Sequence, residues 1–222
     1  MKTIGFYGDS FCADLENDHS KIYNYETYIK KLSKNSDVLN LGVGGSSVWD
    51  SILLQFKEDN IPEVCVFVWT EADRLFHREH RNLNMLSVDS QDFKKLNPNM
   101  HKASMNYFRY LYDPEKQKLE CISLLHYFDK KILPKYKNTK FIHMWSFKNS
   151  INYRWETGVE IHPALIEFSV DNLDDVPRHD KRANHIEGEQ KNDLLYNIIK
   201  DAIDNYEDGK LINNKDYNAR SN

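Results

Sequence analysis

Three separate segments of the chain carry residue types that together could perform nucleophilic catalysis. The first is IGFYGDSFCADL at 4–15, in which an apolar run stops abruptly before Asp9 and Ser10. The second is the glycine-rich run NLGVGGSSVWD at 40–50, and the third is RHDKRANHIEGEQ at 178–190. A nucleophilic serine needs a base that takes its proton and backbone N–H donors that hold the oxyanion. A serine, a glycine turn and an aspartate–histidine segment supply these three parts.

Strands and helices must alternate for these segments to meet, and the hydrophobic pattern predicts that they do. Apolar runs predict strands at 2–8, 38–42, 63–69 and 140–147, with a fifth at 166–170. Helical spacing predicts helices around 24–35, 47–57, 115–133 and 188–206. Such alternation is typical of βαβ crossovers and a parallel sheet, whose carboxyl edge is where ligands bind. We therefore expect the three segments to converge at this edge.

The bulk composition argues against several classes of protein. The 222 residues are 40% hydrophobic and 13% aromatic, which is enough to build the core of one domain. A formal net charge of −4 disfavours a general nucleic-acid binder. The three widely spaced cysteines form neither a disulfide framework nor a CxxC motif. No leader pattern and no bilayer-spanning apolar run is visible, so we expect a cytoplasmic protein without a nucleic-acid or membrane partner.

The domain organisation is expected to be simple. Residues 1–210 are predicted to form a single domain, and 211–222 resemble a C-terminal tail. The segment 71–113 is polar, rich in histidine, asparagine and arginine, and too long for an ordinary connection between a strand and a helix. Long structureless loops in this position are usually lids or binding loops. This insertion leaves the end of the third predicted strand, beside the expected site.

Three sequence blocks resemble the SGNH (GDSL) hydrolase superfamily. They are GDSF at 8–11, NLGVGGSS at 40–47 and NHIEGEQKNDLLYNII at 184–199, and their order spans almost the entire chain. The resemblance implies a three-layer α/β/α flavodoxin-like fold with a parallel sheet. It also implies a serine-dependent esterase or acetylesterase that uses no metal or cofactor.

The resemblance assigns roles to individual residues. Ser10 matches the nucleophile, and His185 matches the base that takes its proton. Gly45 matches the glycine whose N–H, with that of Ser10, forms the oxyanion hole. Asp9 is expected to fix the Ser10 turn and stands with Thr70, Glu71 and Arg74 among the residues expected around the substrate.

The chain departs from the family pattern after the third strand. The family has Gly-x-Asn-Asp there, and its asparagine donates to the oxyanion, whereas this chain has Trp69, Thr70 and Glu71. An ionised glutamate only accepts hydrogen bonds and would repel an oxyanion. Thr70, Asn82 or Asn84 could supply the missing donor. Glu71 is instead expected to accept hydrogen bonds from substrate hydroxyl groups.

A second departure concerns the acid that orients the base. The family usually has an aspartate three residues before the histidine, where this chain has Arg182. We assign the role to Asp180, and Asp175 or a backbone carbonyl group remains an alternative. His179, beside Asp180, is the rival to His185.

The remaining candidates are weaker. His77 and His80 could share one helical face as metal ligands, but no cysteine or carboxylate pattern supports them, so no metal site is expected. His143 lies within an apolar strand and is expected to be a core or near-site histidine and not a base. Arg74 is expected to pair with Glu71 or to bind a substrate anion.

The function expected from these residues is hydrolysis of a small acyl or acetyl ester, possibly on a carbohydrate, through an acyl-enzyme. One alternative is a degenerate member of the family that acts as a binding or structural module. Another is a nucleotide binder that uses GVGGSS at 42–47 to cradle phosphate, although the chain lacks the GxxxxGK[ST] signature.

Overall fold

A computed structural model describes residues 1–12, 26–80, 83–147, 151–169, 186 and 188–213. Its strands are β1 (Lys2–Gly8), β2 (Ser36–Asn40), β3 (Val64–Trp69), β4 (Lys140–Trp145), β5 (Val159–His162) and β6 (Leu211–Asn213). They form one sheet in the order β2-β1-β3-β4-β5-β6, and every neighbouring pair is parallel. The first five strands follow the 2-1-3-4-5 order of flavodoxin-like folds.

Helices cover both faces of the sheet. They are α1 (Tyr28–Ser33), α2 (Val48–Asp50), α3 (Met85–Val88), α4 (Gln91–Leu96), α5 (Pro98–Tyr110), α6 (Pro114–Tyr127), α7 (Ile166–Ser169) and α8 (Glu189–Asp204). A π-helical turn, Ser51–Gln55, extends α2, and two further turns, Phe128–Ile132 and Leu133–Lys135, extend α6. No helix in the described ranges has the length and apolar character needed to span a bilayer.

The alternation of side chains along the strands separates two apolar cores. One core packs residues such as Phe6 and Val66 against α1 and α8. The other packs Tyr7 and Phe67 against the extended α2 and α6. All six residues of β3 are buried, as expected for a strand covered on both faces. The predicted three-layer α/β/α fold is therefore confirmed.

The prediction of a fifth strand at 166–170 is wrong. Ile166–Ser169 forms α7, and the fifth strand is Val159–His162. The N–H groups of Leu165 and Ile166 donate to the carbonyl oxygens of Trp145 and Ser146, at 2.7 and 2.9 Å. The chain thus turns across the end of β4 at this point and does not run beside it.

Two boundary predictions also need correction. Leu211–Asn213 pairs with β5 as the sixth strand, and Ile212 is buried, so these residues belong to the domain and not to a tail. Residues 214–222 of the predicted tail lie outside the described residues. The structure also replaces the expected loop of the insertion with three helices, α3 to α5.

The insertion has a small core of its own. Leu83, Val88 and Phe108 are buried together, with Tyr107 and Tyr112 packed against them. This cluster uses the aromatic residues at the end of the insertion as packing. Leu75 donates its N–H to the carbonyl oxygen of Leu83 at 2.9 Å, which closes the base of the segment.

Candidate functional site

The backbones of β1 and β3 approach each other very closely at Gly8, two residues before the candidate nucleophile Ser10. An added Cβ at Gly8 would lie 2.3 Å from the carbonyl oxygen of Val68 on the neighbouring strand. Only glycine fits there, because a real Cβ does not approach a carbonyl oxygen so closely. β1 can therefore run against β3 up to its last residue and then turn at once into Asp9 and Ser10.

This contact predicts a stability change. Gly8→Ala should lower the free energy of unfolding by about 3 kcal/mol, because either the β1–β3 pairing or the Ser10 turn must shift. Gly44→Ala is the matched control, since its added Cβ would come no closer than 4.0 Å to Ser10. Urea denaturation of both variants measures the difference. Equal and small losses of unfolding free energy in the two variants would show that the β1–β3 contact is not tight.

A buried glutamine holds the two glycine-containing turns together. The Gly8 N–H donates to Gln55 Oε1 at 2.5 Å, and Gln55 Nε2 donates to the Gly8 carbonyl oxygen and to Ser46 Oγ, both at 2.9 Å. Sequence analysis missed Gln55. The sequence feature that could have identified it is a long polar side chain on the core-facing side of the helix that follows the glycine turn.

The glycine turn lies directly beside Ser10. The ideal Cβ position of Gly44 is 4.0 Å from the Ser10 Cβ, and the Val43 N–H donates to the Gly8 carbonyl oxygen at 3.0 Å. Gly45 has a φ of 78°, which favours glycine. Neither the Ser10 nor the Gly45 N–H group makes a hydrogen bond to a described residue. The N–H groups of Ser10 and Gly45 are therefore candidate donors to an anion.

Asp9 points into the protein. Its Oδ1 accepts from the Phe11 N–H at 3.1 Å and from Ser146 Oγ at 2.7 Å, and the residue is fully buried. Burial raises the pKa of the Asp9 carboxyl group, and the Arg74 guanidinium opposes that shift. These contacts fit the expected role in fixing the Ser10 turn. They leave no exposed carboxylate surface for the substrate.

Arg74 pairs with a different carboxylate from the one expected. Its Nη1 lies 3.8 Å from Asp9 Oδ2 and donates to the carbonyl oxygen of Ser46 at 3.4 Å, while its guanidinium lies 5.5 Å from the centre of the Phe147 ring. Only 6% of the residue is exposed. Arg74 thus bridges the Ser10 turn and the glycine turn from below, whereas the sequence suggested a partner at Glu71.

Several buried polar atoms around Arg74 make no hydrogen bond to a described residue within 3.5 Å. They are Asp9 Oδ2, Thr70 Oγ1, Asp73 Oδ1 and Arg74 Nε. Glu71 is half-buried beside them, and its pKa is raised by burial and by the Asp73 carboxylate, with Arg74 opposing. The residues that follow β3 therefore place hydrogen-bond donors and acceptors beside the Ser10 turn. Asn84 is used locally, since its Oδ1 accepts from the Ser87 N–H as the cap of α3.

His143 belongs to the core. Its Nδ1 accepts from Trp69 Nε1 at 3.1 Å, its Nε2 donates to the Thr157 carbonyl oxygen at 2.9 Å, and its ring stacks on Trp155 at 3.7 Å. Burial lowers its pKa to about 3, so the ring is neutral. The expectation of a core histidine is confirmed.

Three other described histidines, His77, His80 and His162, have contacts of their own away from Ser10. His77 Nδ1 accepts the N–H groups of Glu79 and His80, and no group of three metal-ligating side chains occurs within the described part of the chain. His162, at the end of β5, contacts Glu160 Oε1 at 2.9 Å, and this hydrogen bond raises its pKa. Because β3 and β4 separate β5 from β1, their backbones are about 14 Å apart, too far for direct proton transfer.

The expected base and acid fall in a part of the chain that the structure does not describe. His185 and Asp180 lie outside the described residues, as do the alternatives His179 and Asp175 and the possible donor Asn82. The next described residue, Ile186, is buried in the core that also contains α8. No protein-family model and no curated protein matches the chain. The fold defines a three-layer α/β/α protein with a serine and a glycine turn at its carboxyl edge.

Proposed function

We propose that the protein is a serine hydrolase that cleaves a small ester, with an acetyl group as the favoured acyl group. Ser10 Oγ attacks the acyl carbon and His185 takes the hydroxyl proton, so an oxygen–carbon bond forms as the proton leaves. His185 returns this proton to the leaving alcohol when the original ester bond breaks. Water then attacks the acyl-enzyme by the same route and regenerates Ser10.

The observation that carries this proposal is the contact between Ser10 and the glycine turn. The serine follows a strand end that Gly8 holds tightly against β3, and its Cβ is 4.0 Å from the Gly44 Cβ position. The N–H groups of Ser10 and Gly45 make no hydrogen bond to a described residue. Backbone donors fixed before the reaction are the usual means of stabilising a tetrahedral oxyanion.

The polar groups after β3 support a hydroxyl-rich alcohol as the other part of the ester. Glu71 is partly exposed at the end of β3, whereas Thr70 and Arg74 are buried beside it. Hydroxyl groups can donate to a carboxylate such as that of Glu71, so a sugar suits this position better than an acyl chain does. Hydrolysis of p-nitrophenyl acetate and of an O-acetylated sugar tests the proposed activity.

Glu71 predicts a difference between these two substrates. Glu71→Gln keeps the shape of the side chain but replaces an acceptor oxygen with a donor. We expect kcat/KM to fall much more for the O-acetylated sugar than for p-nitrophenyl acetate. An equal rise in kcat/KM for both substrates would place Glu71 close enough to oppose the oxyanion. Equal losses with a lower Tm would indicate a folding role.

A non-catalytic binding module is the second candidate. It is favoured by the sequence after β3, where no asparagine stands at the family's donor position and Glu71 occupies that region. Loss of one oxyanion donor typically costs about 10²–10³ in kcat. If no p-nitrophenol is released above the buffer rate while an O-acetylated sugar still raises Tm, the binding module is the better description.

A further inference from the structure

Ser46 receives hydrogen bonds from two buried side chains that come from different parts of the fold. Its Oγ accepts from Gln55 Nε2 at 2.9 Å, and its carbonyl oxygen accepts from Arg74 Nη1 at 3.4 Å. Gln55 belongs to the π-helical turn that extends α2, whereas Arg74 follows β3. Ser46 is fully buried and comes directly after Gly45. Both contacts therefore act on the turn that carries one of the two candidate oxyanion donors.

The same two side chains also contact the residues just before Ser10. Gln55 Nε2 donates to the carbonyl oxygen of Gly8 at 2.9 Å, and Gln55 Oε1 accepts from the Gly8 N–H at 2.5 Å. Arg74 Nη1 lies 3.8 Å from Asp9 Oδ2. Each of the two side chains thus joins the turn of the candidate nucleophile to the glycine turn.

The position of Arg74 suits a contact within the protein better than a contact with a substrate. Its side chain is 6% exposed, and its carboxylate partner Asp9 is fully buried. A buried cation is costly unless an opposite charge and hydrogen bonds offset its loss of hydration. Burial raises the pKa of the Asp9 carboxyl group, and the Arg74 guanidinium opposes that shift. The charge of Arg74 is therefore directed at the Ser10 turn and away from solvent.

We propose that Arg74 and Gln55 are positioning residues that fix the N–H groups of Ser10 and Gly45 relative to each other. This proposal rests on the hydrolase function proposed above, in which these two N–H groups hold the oxyanion. Such donors are effective because they are fixed before the charge develops and need no reorganisation during the reaction. The family's donor asparagine is missing from the position after β3, so the proposed stabilisation depends on the placement of these two donors.

The expected effect of loosening these contacts is on the chemical step. A displacement of about 1 Å can cost about 10²-fold in rate. The oxyanion exists only in the transition state and the tetrahedral intermediate, so misplaced donors should lower kcat and leave KM nearly constant. An arginine that binds the substrate itself would instead raise KM when it is replaced.

Arg74→Lys tests the first of the two side chains. Lysine keeps the positive charge but ends in a single ammonium group, so it does not reproduce the guanidinium contacts with Asp9 and Ser46. We expect kcat for p-nitrophenyl acetate to fall about 10-fold or more. Asp129→Asn is the control for loss of a buried charged contact, because Asp129 is also fully buried and accepts from the Tyr153 hydroxyl at 2.9 Å in the turn that extends α6. Both variants should lower Tm, and only Arg74→Lys should lower kcat.

Ser46→Ala tests the second side chain and leaves every charge in place. It removes the oxygen that accepts from Gln55, and Ser51→Ala is the matched control. Ser51 is 2% exposed, and its hydroxyl donates to the carbonyl oxygen of Ser47 at 3.4 Å within the same helical segment. We expect kcat to fall about 5-fold or more for Ser46→Ala and to stay unchanged for Ser51→Ala. If Arg74→Lys does not fold, this pair of serine variants still decides.

Four results would overturn the proposal in distinguishable ways. An unchanged kcat in Arg74→Lys, or an equal loss of kcat in Asp129→Asn, would reduce Arg74 to a stabilising residue while leaving the hydrolase function intact. A rise in KM with constant kcat would make Arg74 a substrate-binding residue. Equal kcat values in Ser46→Ala and Ser51→Ala would remove the positioning role of Gln55. Absence of ester turnover in the unchanged protein would overturn the hydrolase function, and the positioning role with it.

Discussion

Ser10→Ala should lower kcat for p-nitrophenyl acetate by about 10⁴-fold or more, because it removes the atom proposed to attack the acyl carbon. The protein should still fold. Ser10 is half-buried, and its hydroxyl makes no hydrogen bond to a described residue, so we expect its loss to cost little stability. Steady-state turnover and a thermal melt measure the two effects.

Ser123→Ala is the matched control for this change. Ser123 is exposed on α6, and its hydroxyl donates only to the carbonyl oxygen of Leu119 within its own helix. The kcat and Tm of Ser123→Ala should stay close to those of the unchanged protein. If Ser10→Ala retained most of the activity, the nucleophile would have to be sought elsewhere.

His185→Ala should be as damaging as Ser10→Ala, and Asp180→Asn should lower kcat by about 10²–10⁴-fold with little change in KM. In the proposed mechanism, loss of His185 leaves the serine proton without an acceptor. With Asp180→Asn the imidazole would be held in the wrong tautomer. The kcat and KM of both variants on p-nitrophenyl acetate provide the measurement.

Other outcomes would reassign these roles. A nearly unchanged rate for Asp180→Asn would transfer the orienting role to Asp175 or to a backbone carbonyl group. Full activity in His185→Ala would contradict the assignment of the base and make His179 the next residue to test. The Tm of each variant, measured by a thermal melt, separates loss of the base from loss of folding.

The fold could be predicted where one pattern dominates. The apolar run at 63–69 is β3, and apolar spacing placed α8, because strands buried on both faces and amphipathic helices leave strong signals. The segments VEIH and IEFS both alternate apolar and polar residues, so periodicity could not separate a strand at 159–162 from a helix at 166–169. Hydrogen bonds from Leu165 and Ile166 to the end of β4 decide between them.

The site could be predicted only in part, for a similar reason. The order of strands brings Ser10 beside the glycine turn, and this follows from the alternation of elements. Contacts made by long side chains do not follow from this alternation. Gln55 reaches back to Gly8, Arg74 reaches Asp9, and Asn192 reaches Tyr28, and no local sequence rule predicts these distant partners.

The most direct test of the account is covalent labelling of the unchanged protein by a fluorophosphonate, read by intact-mass and peptide mass spectrometry. A serine activated by a base and an oxyanion hole attacks phosphorus and releases fluoride, leaving a stable phosphonyl ester. The account predicts a single phosphonyl group, on Ser10, and none in Ser10→Ala. Labelling of a different serine, or no labelling under conditions that modify a control esterase, would contradict it.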